Sequence, residues 1–278
     1  MNTKDAYEIC HTIIKQHSKT FAKAFSTLPQ KKRQAVWAIY AFCRTVDDIV
    51  DEGQSPSSEL EQFEDQFNRF IRKELPLTDP KWIALDDVFQ RFDMDATPFF
   101  DMIKGQRMDL YVKRYETLEE VEQYSYHVAS TVGLMLLPVL APSNHQQLHN
   151  SAIALGKAMQ LTNILRDIGE DLNRDRVYLP KAIMDAYGVA EKDLLIGEQG
   201  TAFINMWEHI AARAENLYQE AFNDMHLYPV DARLPVQGAG MMYRAILKAV
   251  RLNQYNVFSQ KSFVTKGEKE MILNELKA

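Results

Sequence analysis

The chain has 278 residues, 46% apolar and 25% charged, with a formal charge of −6 when His is neutral. That length can bury a sizeable core in one large domain or two small ones, and the ordinary composition excludes a disordered, collagenous or fibrous chain. With only 11 Gly and 10 Pro, an all-β sandwich or a Gly-rich nucleotide fold is disfavoured, and the acidic balance argues against a nucleic-acid partner.

The apolar period is helical along nearly the whole chain. Asn2 and Thr3 can cap a first helix with Tyr7, Ile13 and Ile14 on its inner face. A short helix then carries Phe21 and Phe25. Pro29 suits a helix start, and Val36, Ile39, Tyr40, Cys43 and Val46 carry one stripe on to Asp51. After a Ser/Pro/Gly loop at 53–58, helices are expected at 59–74, 81–91 and 98–111. Residues 118–140 read as one long helix, kinked at Gly133 or Pro138, and residues 145–172 as another. A charged loop at 173–178 precedes a short helix at Pro180, and long amphipathic segments follow at 201–227 and 231–258. No strand-like alternation, repeat or domain boundary interrupts this pattern. The expected fold class is all-α, with one domain over residues 1–278.

Cys10 and Cys43 give neither a disulfide framework nor metal-ligand spacing, so a reduced, cytoplasmic setting is expected. No apolar stretch reads as a signal peptide, and the longest, 132–141, is too short to span a bilayer.

Two helical faces carry the chemistry. At about 100° per residue, Arg44, Asp47 and Asp51 lie within roughly 40° of Tyr40, whereas Asp48 falls to the side. Likewise Asn163, Asp167 and Asp171 share a face with Gln160. Both helices are otherwise apolar. Carboxylates four apart repel by about 0.2–0.5 kcal/mol per pair on an exposed helix, and by more in a cavity unless cations neutralise them. Either these faces are solvated, or they line a polar cavity and hold hard divalent ions that bridge to phosphates. Gln160 and Asn163 favour the cavity, because an apolar helix has little structural reason for two amides. Arg44 within the first face could meet a diphosphate oxygen, and Arg166 and Arg176 flank the second face.

At these residues the chain resembles the squalene/phytoene synthase family. The resemblance rests on residues 35–51 (AVWAIYAFCRTVDDIVD) and 160–171 (QLTNILRDIGED). It extends through 17–21 (HSKTF), 108–110 (MDL), 124–133 (YSYHVASTVG) and 175–180 (DRVYLP), in the expected order. Within the family it looks most like the bacterial dehydrosqualene (diapophytoene) synthases. The resemblance implies an isoprenoid-synthase helical bundle around a central cavity, and head-to-head joining of two prenyl diphosphates, with farnesyl diphosphate expected. It implies Mg²⁺ on Asp47, Asp51, Asn163, Asp167 and Asp171, with Arg44 and Tyr126 beside the reacting groups. One diphosphate leaves, the second chain's terminal double bond attacks the allylic cation, and loss of a proton closes a cyclopropane. The second diphosphate then ionises, the ring rearranges, and a second proton is lost. Without NADPH the product keeps its central double bond.

The same resemblance makes His17, Ser18, Lys19 and Thr20 diphosphate contacts, and brings Tyr40, Arg166 and Tyr243 to the substrate. The plainer account of the first four is a helix break with exposed charge, and of the tyrosines, packing with a satisfied hydroxyl. Phe21 and Phe25, four apart, are either simple core or a floor that limits prenyl length. Asp175 and Arg176 could pair to close the second face. Asp109 has no role beyond structural support. His145 and His149, four apart, could bind metal, but beside Gln146, Gln147 and Asn150 they read as a solvated pair. A lipophilic product suggests peripheral membrane contact. Competing readings are a phytoene synthase using geranylgeranyl diphosphate, an NADPH-dependent squalene synthase, a head-to-tail elongase or terpene cyclase (residues 47–51 read DDxxD), and a non-catalytic helical binding protein.

Overall fold

Pro29 starts the helix that carries the first acidic face, and its fixed φ suits that position. The computed structural model describes residues 1–276, the side chain of Thr20 excepted. In chain order the helices are α1 (Thr3–His17), α2 (Lys19–Ala24), α3 (Gln30–Glu52), α4 (Pro56–Ile71), α5 (Pro80–Arg91), α6 (Thr97–Tyr111), α7 (Leu118–Ser125) and α8 (Thr131–Leu140). They continue as α9 (His149–Arg166), α10 (Ile168–Leu172), α11 (Lys181–Ala186), α12 (Glu191–Ile196), α13 (Thr201–Asn223), α14 (Val230–Leu252) and α15 (Lys266–Glu275). Short 3₁₀ turns follow α2 and α13. As the period predicts, the described residues contain no strand, only an isolated bridge between Arg114 and Val177. No described helix is long and apolar enough to cross a membrane.

The core forms two clusters that meet along α9, where Ala152 belongs to the first and Ala154, Ala158 and Leu161 to the second. In the first, Phe42 of α3 sits among Phe63, Phe67, Trp82 and Phe99, with ring centroids 5.0–6.1 Å apart. Such pairs contribute about 0.5–1.5 kcal/mol beyond area burial. This packing fixes the inner face of α3 and so aims its polar residues. In the second cluster α9 packs along α13. A partly buried ion network of Glu122 with Lys157 and Arg213 ties α7, α9 and α13 together.

The expected helix over 118–140 is interrupted, but not at Gly133 or Pro138. Residues Tyr126–Ser130 form a π-helical turn between α7 and α8. There α9 presses close: a Cβ on Gly156 would lie 2.3 Å from the Ser130 Cα. Pro138 is tolerated inside α8, close to its C-terminal end.

The expected helix over 145–172 also breaks, at Asp167, and the cause is an exchange of partners. In an unbroken helix the Gly169 amide would bond to the Leu165 carbonyl. Instead the Gly169 N–H donates to the Val257 carbonyl at 3.1 Å, and the Leu165 carbonyl accepts from Trp207 Nε1 at 3.0 Å. The crossing segment needs a glycine, because a Cβ on Gly169 would lie 2.5 Å from the Phe258 carbonyl oxygen. Asp167 keeps both helical links, donating to the Asn163 carbonyl and accepting from the Asp171 amide, each at 2.9 Å. The second acidic face therefore survives the break. The last long helix ends at Leu252 rather than 258, because Gln254 and Tyr255 turn left-handed. Helices α12 and α15 are additional to those expected from the sequence.

Candidate active site

The two acidic faces meet across one polar chamber of about 190 Å³. Arg44, Asp47 and Asp51 line it from α3, and Gln160, Asn163, Asp167 and Asp171 from α9 and α10, with Arg174 and Arg176 from the loop beyond. A second, largely apolar chamber of about 350 Å³ shares Asp47, Gln160 and Asn163 with it. From that junction the apolar chamber follows Cys43 and Tyr40 down α3, and Gln160, Gly156 and Ala152 down α9. The helical rise along α9 from Asn163 to Ala152 corresponds to about 16 Å. Phe21, Phe25, Leu140, Tyr228 and Tyr243 are among its other walls.

The polar chamber is strongly charged, and the protein supplies some of its own neutralisation. Asp51 receives Arg174 at 3.0 Å and Arg176 at 3.3 Å. Asp167 is held by its neighbour Arg166, with Nε–Oδ1 at 2.8 Å, and by Lys261 at 3.1 Å. Arg44 pairs with Asp48 and, at 3.5 Å, with Glu52. Among the described residues, Asp47 and Asp171 have no ion-pair partner of their own. Burial pushes the Asp47 carboxyl up to about 7, with Arg44 pulling it down and Asp51 and Asp48 pushing it further up. Burial also raises Asp171 to about 7, reinforced by Asp167 and Glu170 and opposed by Arg176 and Arg174. Arg44 and Arg176 each keep a buried Nε with no hydrogen-bond partner. Donors in that state are costly unless a ligand takes them.

Asp109 supports one wall. Its carboxylate accepts from Tyr178 at 2.7 Å and from Tyr124 at 2.9 Å, and both tyrosines line the polar chamber. Burial raises its pKa, although both hydroxyls work against that.

Other residues fall elsewhere. Tyr126 is not among the lining residues of either chamber. It lies on the π turn, which directs its hydroxyl to Asp101 at 2.9 Å. Lys19 is exposed and Arg166 is engaged with Asp167, and neither side chain is part of the lining. His17 and Ser18 do line the apolar chamber, and Ser18 also caps α2. The Thr20 side chain lies outside the described residues. Asp175 does not pair with Arg176. Its φ is 56°, it is largely exposed, and it bonds to Arg114 at 2.9 Å. His145 precedes α9, so it shares no helix face with His149. Both border a separate recess beside Asp93 and Asp95.

The sequence reading missed Gln106, Arg174 and Lys261. Gln106 Nε2 donates to Asp47 Oδ1, and its only sequence signal is its closeness to the MDL motif. Arg174 could have been found as a companion of Arg176. Lys261 lies too far along the chain for local spacing to reveal it.

The sequence and the fold both have known relatives. The model of the family described as squalene/phytoene synthase matches residues 14–268. The chain belongs to that family. It is 39% identical to the 15-cis-phytoene synthase of Synechocystis sp. over 98% of its own length and 84% of that protein. A crystal structure of a dehydrosqualene synthase in complex with ligand is 42% identical, covers 99% of this chain and 96% of that one, and superposes with a TM-score of 0.93. The squalene synthase HpnC of Alicyclobacillus acidocaldarius is 25% identical over 91% of this chain and 96% of that one, with a TM-score of 0.85. These family relatives are synthases of the prenyltransferase type that carry three different product names.

Proposed function

We propose that this squalene/phytoene synthase family member, acting as one catalytic domain, joins two farnesyl diphosphates head to head into dehydrosqualene without a reductant, as a step of carotenoid formation. The observation that carries the reading is the junction at Asp47, Gln160 and Asn163, where an apolar chamber opens onto an oxygen-lined, cation-bordered one. A diphosphate and its prenyl chain need those two environments side by side.

The polar residues suit magnesium. The donors are hard oxygens from Asp47, Asp51, Asn163, Asp167 and Asp171, and Asp47 and Asp171 are partly buried carboxylates with no ion-pair partner of their own among the described residues. Among the described residues no three acidic, His or Cys groups converge enough to hold an ion unaided. Mg²⁺ commonly completes its shell with water and substrate phosphate, so this donor set fits. When bound, magnesium would supply electrophilic pull on the departing diphosphate.

The remaining roles belong to the chain itself. Arg44 and Arg176 offer unpaired guanidinium donors to negative charge that grows on the leaving oxygens. The apolar walls exclude water, which would otherwise capture an allylic cation. Phe21, Tyr40 and Tyr243 present aromatic rings to the same space, and aromatic faces attract cations. Gln160 and Asn163 stand at the junction between charge and hydrocarbon. Bulky Phe25 and Tyr228 in the chamber wall support the shorter C15 chain. The phytoene synthase relatives favour the C20 alternative.

Product analysis separates these readings. Purified protein with Mg²⁺ and farnesyl diphosphate should give dehydrosqualene by mass spectrometry, whether or not NADPH is present. Product from geranylgeranyl diphosphate alone would make it a phytoene synthase. Squalene formed only with NADPH would place it in the reductive branch.

A further inference from the structure

Asp167 sits in the second acidic face with its carboxylate already occupied. Arg166 holds it from the adjacent position, while Lys261 reaches Oδ1 at 3.1 Å from a segment more than ninety residues away. The Lys261 ammonium also contacts Glu170 at 2.8 Å. It therefore bridges a carboxylate of the polar chamber and an exposed one outside it. The Lys261 side chain is 52% exposed, against 16% for Asp167.

The segment that carries Lys261 is anchored. Gly169 donates to Val257, and the Phe258 ring packs 5.1 Å from Phe203. Asn253 Nδ2 donates to the Asn256 carbonyl and to Ser262 Oγ. The lysine stem is the free part of an otherwise fixed strap. It can leave Asp167 for Glu170 without the backbone moving.

We infer that Lys261 is a latch on Asp167: its ammonium competes with a divalent ion for that carboxylate and is displaced onto Glu170 when the ion binds. This inference rests on the proposal that Asp167 takes a metal. It adds that the chain discourages metal from settling there alone. The physical basis is short-range. Removing a cation about 3 Å from a partly buried carboxylate changes that carboxylate's affinity for another cation, whereas a charge beyond about 8 Å is screened at physiological salt. With no three acidic groups converging, the acidic faces offer a lone ion few ligands, and the latch weakens that offer further.

The test is a Mn²⁺ titration of the full-length protein without substrate, in 0.15 M salt, followed by electron paramagnetic resonance. Lys261→Met should bind Mn²⁺ about tenfold more tightly than the parent, a change of roughly 1.4 kcal/mol. Lys261→Arg keeps the charge and should behave as the parent does. Arg244→Met, which removes an exposed charge from α14, should change affinity less than about twofold. In Lys261→Met/Asp167→Asn the gain should vanish. Unchanged Mn²⁺ affinity in Lys261→Met would overturn the latch, as would a gain that persists without Asp167. The proposed reaction is judged separately, by whether the parent makes product from farnesyl diphosphate and Mg²⁺.

Discussion

Gln106 donates its side-chain amide to Oδ1 of Asp47, tying α6 to the first acidic face. The amide is buried, so the bond is made away from competing water. It stabilises the ionised form of a carboxyl that burial otherwise pushes up to about 7. It also engages one carboxylate oxygen and leaves the other for a ligand.

Gln106→Leu should therefore raise the Asp47 pKa further. A hydrogen bond to a charged group contributes about 1.5–3 kcal/mol. The acid limb of the kcat/KM profile should shift to higher pH, with activity at pH 7 falling about tenfold and recovering in part at pH 8.5. Gln106→Glu at high pH adds repulsion and should not recover. Identical acid limbs in parent and Gln106→Leu would remove Gln106 from any positioning role.

Stability should carry the same signature with a definite sign. The Asp47 carboxyl stands at about 7 in the folded chain, against an ordinary value of 3.8. Between these values the folded state binds more protons than the unfolded state, so stability falls as pH rises through that window. Asp47→Asn removes this contribution. In EDTA, urea unfolding should show the variant gaining on the parent between pH 5 and pH 8, by on the order of 1–3 kcal/mol once solvent screening is allowed for. Glu122 and Glu208, whose pKa values are lowered, act oppositely but below about pH 4.5, outside the window. A difference that does not change with pH would contradict the raised pKa of Asp47.

Phe25 lines the apolar chamber and meets Phe21 edge-on at 5.0 Å. Truncation opens the wall of a chamber that already exists, so the void joins it rather than forming a sealed cavity. Phe25→Ala should therefore cost less than the about 3–5 kcal/mol usual for a core Phe. In competition between C15 and C20 diphosphates, product from the longer chain should rise by about tenfold or more. An unchanged product ratio would show that Phe25 does not limit chain length.

The helical class, the two acidic faces and the junction amides were all legible in the sequence, for one physical reason. Each depends on residues three or four apart, and helical geometry converts that spacing into a shared face. Tyr126, expected beside the reacting groups from the resemblance and not from spacing, lies where such reasoning does not reach. The π turn at Tyr126–Ser130 shifts the angular register, and no residue type in YSYHVASTVG announces it. Lys261 and Gln106 fail differently, because their partners lie 94 and 59 residues away and only the tertiary packing brings them together. The break at Asp167 combines both causes. Its sequence trace is Gly169, whose missing side chain makes room for a strand of backbone that local reading cannot see.

That glycine yields the sharpest test of the site's construction. Gly169→Ala places a Cβ 2.5 Å from the Phe258 carbonyl oxygen and 2.8 Å from that of Val257, where backbone rather than a flexible side chain must move. Pushing the strap outward weakens the Gly169–Val257 hydrogen bond and withdraws Lys261 from Asp167. Overpacking of this kind typically costs about 1–3 kcal/mol, a fall of roughly 2–5 °C in Tm for a chain of this size. The variant should also mimic Lys261→Met in part, with Mn²⁺ affinity rising in the absence of substrate. Lost stability with unchanged Mn²⁺ affinity would mean that the strap supports α10 without controlling the cation it carries.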